Sequence, residues 1–146
     1  MNRMHAPTDL HHACTALGTI LFTVTVLDPA RDLCWRAYTS HPVEYPTQGT
    51  KPLTHDAWHD QVIIRRETFV ANTPAAFKKV FFDHALITSL SLGSAVNIPV
   101  AVASGTVLAT VNLLAEPQHF TPAKLAAYQT LVANHHAVLL SEFAPA

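Results

Sequence analysis

The sequence predicts an α+β domain in which one antiparallel sheet carries helices on both of its faces. Three observations lead there: a pair of β-rich runs near the N-terminus, a second pair near the C-terminus, and helix signals before, between and after them. At 146 residues the chain is expected to form one domain over 1–146, with a core from about residue 13 to 140. Hydrophobic residues make up 49% and charged residues 13%, half the share of an average soluble protein, which excludes a disordered chain.

Thr8 followed by Leu10, Cys14 and Leu17 sets an N-cap before an apolar stripe at helical spacing, predicting a short helix over 8–17. Runs 19–27 and 33–39 flank the turn-forming Asp28-Pro29-Ala30-Arg31-Asp32 and predict an antiparallel hairpin. Strict alternation in its second strand sends Trp35 and Ala37 to one face, Arg36 and Tyr38 to the other. Pro42, Pro46, Gly49 and Pro52 make 40–52 a stiff loop. Thr54 then caps a helix over 55–66 bearing Trp58 and Val62 on one face, and 67–71 is a short strand around Phe69 and Val70.

Thr73-Pro74 opens a helix through Lys79, and Asp83 caps a helical turn over 84–90 that ends before Gly93. Strands over 94–102 and 106–114 form a second hairpin around Ser104-Gly105. Thr121-Pro122 opens a single terminal helix reaching about Glu142. There Leu125, Tyr128, Val132, His135 and Leu139 recur at steps of three and four, beside a second stripe through Ala127, Leu131 and Val138. The two terminal helices are expected to share one face of the sheet, with the mid-chain excursion on the other. The doubled stripe also suits a second copy of the chain, so a homodimer through the terminal helices is expected.

Composition narrows the function. Nine Lys and Arg against ten Asp and Glu leave a formal charge of −1, which argues against nucleic acid as a partner. Four scattered glycines form no phosphate-cradling loop. The uncharged stretch 84–115 has membrane-span length, but Ser89, Ser91, Ser94, Asn97, Pro99, Ser104, Gly105 and Asn112 interrupt it, so no membrane association is expected. The uncharged run 13–27 carries no small-residue cleavage site before Asp28-Pro29, and a cytoplasmic location is expected.

Cys14 and Cys34 belong to no ligand-spaced motif and read as buried thiols. Among ten histidines, His55 and His59 share a helix face and His11-His12 and His135-His136 are adjacent, but adjacent helical side chains point about 100° apart, so each adjacent pair is expected to supply one ligand at most. Neither a metal nor a cofactor is expected. A GxSxG nucleophile elbow is also missing, and Asp56 with Asp60 reads as a solvated helix face.

The informative residues are polar ones inside apolar strands. Val96, Ile98, Val100 and Val102 define one face of their strand, which sends Asn97 and Pro99 to the other, and Asn112 interrupts its partner strand similarly. A buried amide left unpaired costs about 1–3 kcal/mol, so such an Asn is expected either to bond to neighbouring backbone or to meet a ligand. Arg36 and Tyr38 stand on an inner strand, and the covering excursion supplies Trp58, Phe69, Phe81, Phe82, Asp83 and His84. Aromatic walls with a few directed polar groups describe a small-molecule pocket. These ten residues are the candidate ligand-binding set, with Arg36 suited to an anionic group.

Several blocks carry a family resemblance. Arg36-Ala37-Tyr38-Thr39-Ser40-His41-Pro42, Tyr45-Pro46, Gly49 and Lys51-Pro52, followed by Phe82-Asp83-His84, Asn97-Ile98-Pro99-Val100 and Val107 to Leu114, resemble small stand-alone bacterial GAF-domain proteins. Ala109 replaces a more usual Gly, and Ser91-Leu92 replaces a more usual Gly-Cys. The resemblance implies a GAF-like (PAS/profilin-like) α+β fold with a five- or six-stranded antiparallel sheet of order 2-1-5-4-3. It implies terminal helices on one face, crossover helices over a pocket on the other, and a role in small-molecule sensing. The cyclic-nucleotide NKFDE-type motif is absent, and Cys14 and Cys34 do not match the loop cysteines of free methionine-R-sulfoxide reductases.

The leading expectation is a non-catalytic sensory or regulatory domain that binds a small molecule. One alternative is an enzyme using Asp83 and His84 as an acid/base pair in the same pocket. Another is a dimerisation module with no ligand.

Overall fold

The computed structural model describes residues 6–143. Helix α1 (Ala6–Ala16) leads into the hairpin β1 (Leu21–Asp28) and β2 (Leu33–Thr39). A short edge strand β3 (Lys51–Pro52) comes next, then α2 (Ala57–His59), which widens into a π-helical stretch over Asp60–Ile64. Strand β4 (Phe69–Ala71) and helices α3 (Pro74–Lys78) and α4 (His84–Ser89) complete the crossover. The second hairpin is β5 (Ser94–Ala101) and β6 (Val107–Ala115), and α5 (Pro122–Asn134) and α6 (His136–Phe143) close the described chain.

The six strands form one antiparallel sheet in the order β3-β2-β1-β6-β5-β4. Without the edge strand, which lies in a segment read from sequence as loop, this is the 2-1-5-4-3 order. Two cores flank it. On one face Phe22, Val24, Val96, Val111 and Leu113 meet Leu10 and Cys14 of α1 and Tyr128, Val132 and Leu139 of the terminal helices. Each such fully buried side chain stabilises the fold by roughly 1.5–3 kcal/mol. On the other face Leu21, Ala95 and Leu114 pack with Phe77, Ile87 and Leu92 of the crossover.

Several helix limits differ from the sequence expectation, each for a local reason. Helix α1 starts at Ala6, so Thr8 lies inside it. The cap of α2 is Asp56, whose Oδ1 accepts from the His59 N–H at 2.9 Å; Thr54 precedes it in the loop. Thr73 and Thr121 do cap α3 and α5, each with proline next. The terminal helix is two helices, because His135 (φ −100°, ψ 5°) leaves the helical path. Its Nδ1 bonds the Leu131 carbonyl at 2.8 Å, and the neighbouring His136 Nε2 reaches Ala101 O at 2.6 Å. Leu131, Leu140 and Phe143 pack partly buried against the first core, and no strongly exposed large apolar side chain lies on α5 or α6. Among the described residues no helix is long and apolar enough to cross a membrane.

Polar staples fix the connections. Asn72 pairs both edges of its amide with the Phe120 backbone, at 3.0 Å and 2.9 Å, tying the crossover to the segment entering α5. Tyr128 receives a hydrogen bond from the Thr19 hydroxyl at 2.9 Å and meets His119 Nε2 at 2.6 Å. Burial pushes the His119 imidazole down, which favours the neutral ring, whose Nε2 accepts a hydrogen bond from the Tyr128 hydroxyl.

Candidate functional site

Antiparallel register lines up two rows of side chains on the crossover face of the sheet. Phe69 pairs with Asn97, Asn97 with Asn112, Asn112 with Thr23 and Thr23 with Thr39. The adjacent row runs Pro99, Thr110, Thr25, Arg36. Directly opposed residues share a face with Cβ atoms about 5 Å apart, so polar groups far apart in sequence meet.

Strand β2 joins the second row through a β-bulge. Val24 pairs with Tyr38 and Thr25 with Arg36, leaving Ala37 unpaired. An extra residue reverses the facing of the strand beyond it, so Arg36 and Tyr38 reach opposite faces. The sequence expectation that they share a face is therefore corrected. Tyr38 packs edge-on to Phe22 at 5.5 Å and bonds His11 Nδ1 at 2.8 Å on the terminal-helix side.

Between the two rows and the crossover lies a cavity of about 250 Å³. At roughly 30 Å³ per water, that volume suits a small organic molecule. Seven of the ten sequence candidates line it: Arg36, Trp58, Phe81, Phe82, Asp83, Asn97 and Asn112. Tyr38, Phe69 and His84 do not. Phe69 shares the Asn97 row but turns to Phe81, ring centroids 5.6 Å apart, at the sheet edge. His84 begins α4, where it serves through its backbone: its N–H bonds Phe81 O at 3.2 Å and its carbonyl accepts from Thr88.

A directed hydrogen-bond chain crosses the cavity floor. The Trp58 indole N–H donates to Asn97 Oδ1 at 2.9 Å, and Asn97 Nδ2 donates to Asn112 Oδ1 at 2.8 Å. Asn112 Nδ2 then donates to the hydroxyl oxygens of Thr23 and Thr25, both at 3.1 Å. The amides are thus held by side chains in a continuous relay. Arg36 donates through Nη1 to Pro46 O at 2.9 Å and stacks its guanidinium 4.9 Å from the Tyr45 ring centroid. Its Nε is buried with no hydrogen-bond partner.

Asp83 takes the expected N-cap position of α4, but its side chain makes no capping bond; its Oδ2 instead accepts from the Tyr45 hydroxyl at 2.6 Å. Burial and that carboxylate push the Tyr45 phenol up, so it is a firm donor at neutral pH. The bond joins the proline-rich loop to the start of α4 across the cavity. Phe82 stands 86% exposed beside the cavity, with Lys51 Nζ 5.2 Å from its ring centroid.

Sequence reasoning missed Tyr45, Lys51, Thr23, Thr25 and His59, all in the lining. The threonines carried a signal, since both alternate with buried apolar residues in β1. His59 is buried beside the His55 ring, centroids 4.3 Å apart, while His55 Nε2 contacts Asp32 Oδ1 at 2.6 Å. No group of three or more His, Cys, Asp or Glu side chains converges among the described residues. Cys34 also lines the cavity, and burial raises its thiol despite nearby Lys51 and Arg36. Cys14 lies in the terminal-helix core and Cys34 in a separate small cluster with Leu27 and Val107, so the two thiols are not neighbours across one site.

Comparison with solved structures decides the fold. The chain superposes on the GAF domain/HD domain protein of Geobacter sulfurreducens with TM-score 0.73 and 16% identity, covering 99% of this chain and 98% of that one. The chain has the GAF fold. The GAF domain of a two-component sensor histidine kinase from Bacillus halodurans matches with TM-score 0.69 and 12% identity over 92% and 93% of the two chains. Type II free methionine-R-sulfoxide reductase from Thermoplasma acidophilum matches with TM-score 0.67 and 11% identity over 100% and 99%. No protein-family model and no curated protein matches the chain. The cavity lies between the six-stranded sheet and the crossover helices of that fold.

Proposed function

We propose that this GAF domain is a non-catalytic regulatory module that encloses a small organic molecule between its sheet and its crossover. The observation that carries the reading is the cavity floor: a relay from Trp58 through Asn97 and Asn112 to two threonines, with Arg36 beside it and aromatic rings above. Directed polar groups under apolar walls orient a ligand and dehydrate it, which is how small-molecule sites discriminate. The similarity to a sensor kinase GAF domain adds weight to a regulatory role.

An acid/base enzyme built on Asp83 and His84 is not favoured. Asp83 is engaged by Tyr45, and His84 lies outside the cavity lining.

Native mass spectrometry of the purified chain, with a thermal-shift screen of metabolites, tests the proposal. A retained small molecule is expected, and added ligand should raise the melting point by mass action. Arg36→Ala and Asn97→Ala should abolish the rise while remaining folded. An equal rise in wild type and both variants would remove the binding role from this cavity.

A further inference from the structure

We infer that the ligand of this cavity is a small monocarboxylate, held by donors that the fold leaves without acceptors; this rests on the cavity being a binding site. An indole N–H can only donate, so Asn97 must turn its Oδ1 toward Trp58 and its Nδ2 toward Asn112. Asn112 must in turn present its oxygen to Asn97 and its Nδ2 to the threonines. The indole thereby fixes the polarity of the whole relay, and both amide orientations are set by chemistry. Thr23 and Thr25 end the relay as acceptors.

A hydroxyl that accepts still carries a proton to donate. Among the described residues neither Thr23 nor Thr25 donates to any acceptor, and Thr23 is only 5% exposed. Across the ladder from Thr25 stands Arg36, whose buried Nε likewise lacks a partner. Unmet donors thus occupy neighbouring register positions among the residues that line the cavity. An oxygen anion accepts from all of them, whereas a cation or an amide nitrogen would meet donors with donors.

Charge selects the kind of anion. The lining holds two basic side chains of fixed charge, Arg36 and Lys51, and two carboxylates, Asp56 and Asp83. The carboxylates are engaged elsewhere, Asp56 on the His59 N–H and Asp83 on the Tyr45 hydroxyl. A site of near-zero formal charge admits one negative charge and penalises a phosphate dianion near two carboxylates. The rings of Trp58, Phe81 and Phe82 favour a flat apolar body behind the carboxylate.

Isothermal titration of the full chain with benzoate, benzamide and phenyl phosphate tests this, in wild type, Trp58→Phe and Thr25→Val. Benzoate should bind at least about tenfold more tightly than the neutral amide or the dianion, as expected for charge-assisted hydrogen bonds. Trp58→Phe keeps the ring but releases the polarity of the relay, so the benzoate preference over benzamide should collapse toward unity. Thr25→Val should lower that preference in the same way, and circular dichroism checks that both variants fold. Benzamide or phenyl phosphate matching benzoate, or a preference unchanged in both variants, would overturn the inference. Failure of all three probes would overturn it too. The binding role itself would still stand if a neutral molecule co-purified in the cavity, and would fall with it if none did.

Discussion

Arg36 and Tyr38 stand two residues apart on one strand and reach opposite faces of the sheet, because the bulge at Ala37 comes between them. The guanidinium is thereby delivered to the cavity and the phenol to the opposite core. Bulges commonly re-aim side chains beside functional sites, and here the re-aiming sorts a binding candidate from a structural residue. Tyr38→Phe should lower stability by about 1 kcal/mol through loss of the His11 hydrogen bond, with no change in the ligand-induced thermal shift. Arg36→Ala should abolish the ligand-induced shift, beside whatever stability it loses with the Pro46 hydrogen bond and the Tyr45 contact. Denaturant titration and thermal shift on both variants check the separation.

That bulge also marks where sequence reasoning stops. Period-2 alternation correctly sent Asn97 and Asn112 to the cavity face, because β5 and β6 pair without irregularity through that region. The same rule misassigned Tyr38, since an unpaired Ala carries no sequence signal. Cap-plus-proline signals at Thr73 and Thr121 were legible because capping is local chemistry. Asp83 looked like a cap for the same reason, but its carboxylate is claimed by Tyr45 from 38 positions away. Lys51 and Tyr45 lay in a proline-rich loop, where no period links a side chain to a face.

The buried His119 and the half-buried His11 make stability depend on pH. Burial, first among the causes, holds His11 and His119 below the ordinary value of 6.5. The unfolded chain therefore takes up protons before the native state does, and stability rises with pH across that interval. Stability should be fully present above about pH 6.5 and decline as pH falls toward the lower native values. His119→Gln should flatten part of the slope, because protonating His119 removes the acceptor for Tyr128. Melting temperature from pH 8 to pH 5 reads this directly.

Tyr45→Phe removes the bond that ties the loop to α4 across the cavity. A hydrogen bond to a carboxylate contributes about 1.5–3 kcal/mol, less where solvent reaches it. The variant should remain folded, and amide hydrogen exchange should quicken at residues 81–84 and 43–46 while the β5–β6 hairpin stays protected. A ligand that depends on this closure should also leave faster.

The thiols should be inert in the native state. Burial pushes Cys14 up to about 12 and raises Cys34 as well, so little thiolate exists at neutral pH. A thiol-specific chromogenic reagent should react with neither until the chain unfolds. Any slow labelling should fall on Cys34, the one beside the cavity, and a bound ligand should suppress it.

The most direct measurement tracks the indole N–H signals in a two-dimensional proton–nitrogen spectrum during addition of a ligand such as benzoate. The chain has two tryptophans, and Trp58→Phe assigns them. Occupancy of the cavity requires the Trp58 resonance to shift with saturation while that of Trp35 stays still. A stationary Trp58 signal under conditions where the ligand binds would mean that the molecule sits elsewhere and that the polar floor serves only to hold the sheet together.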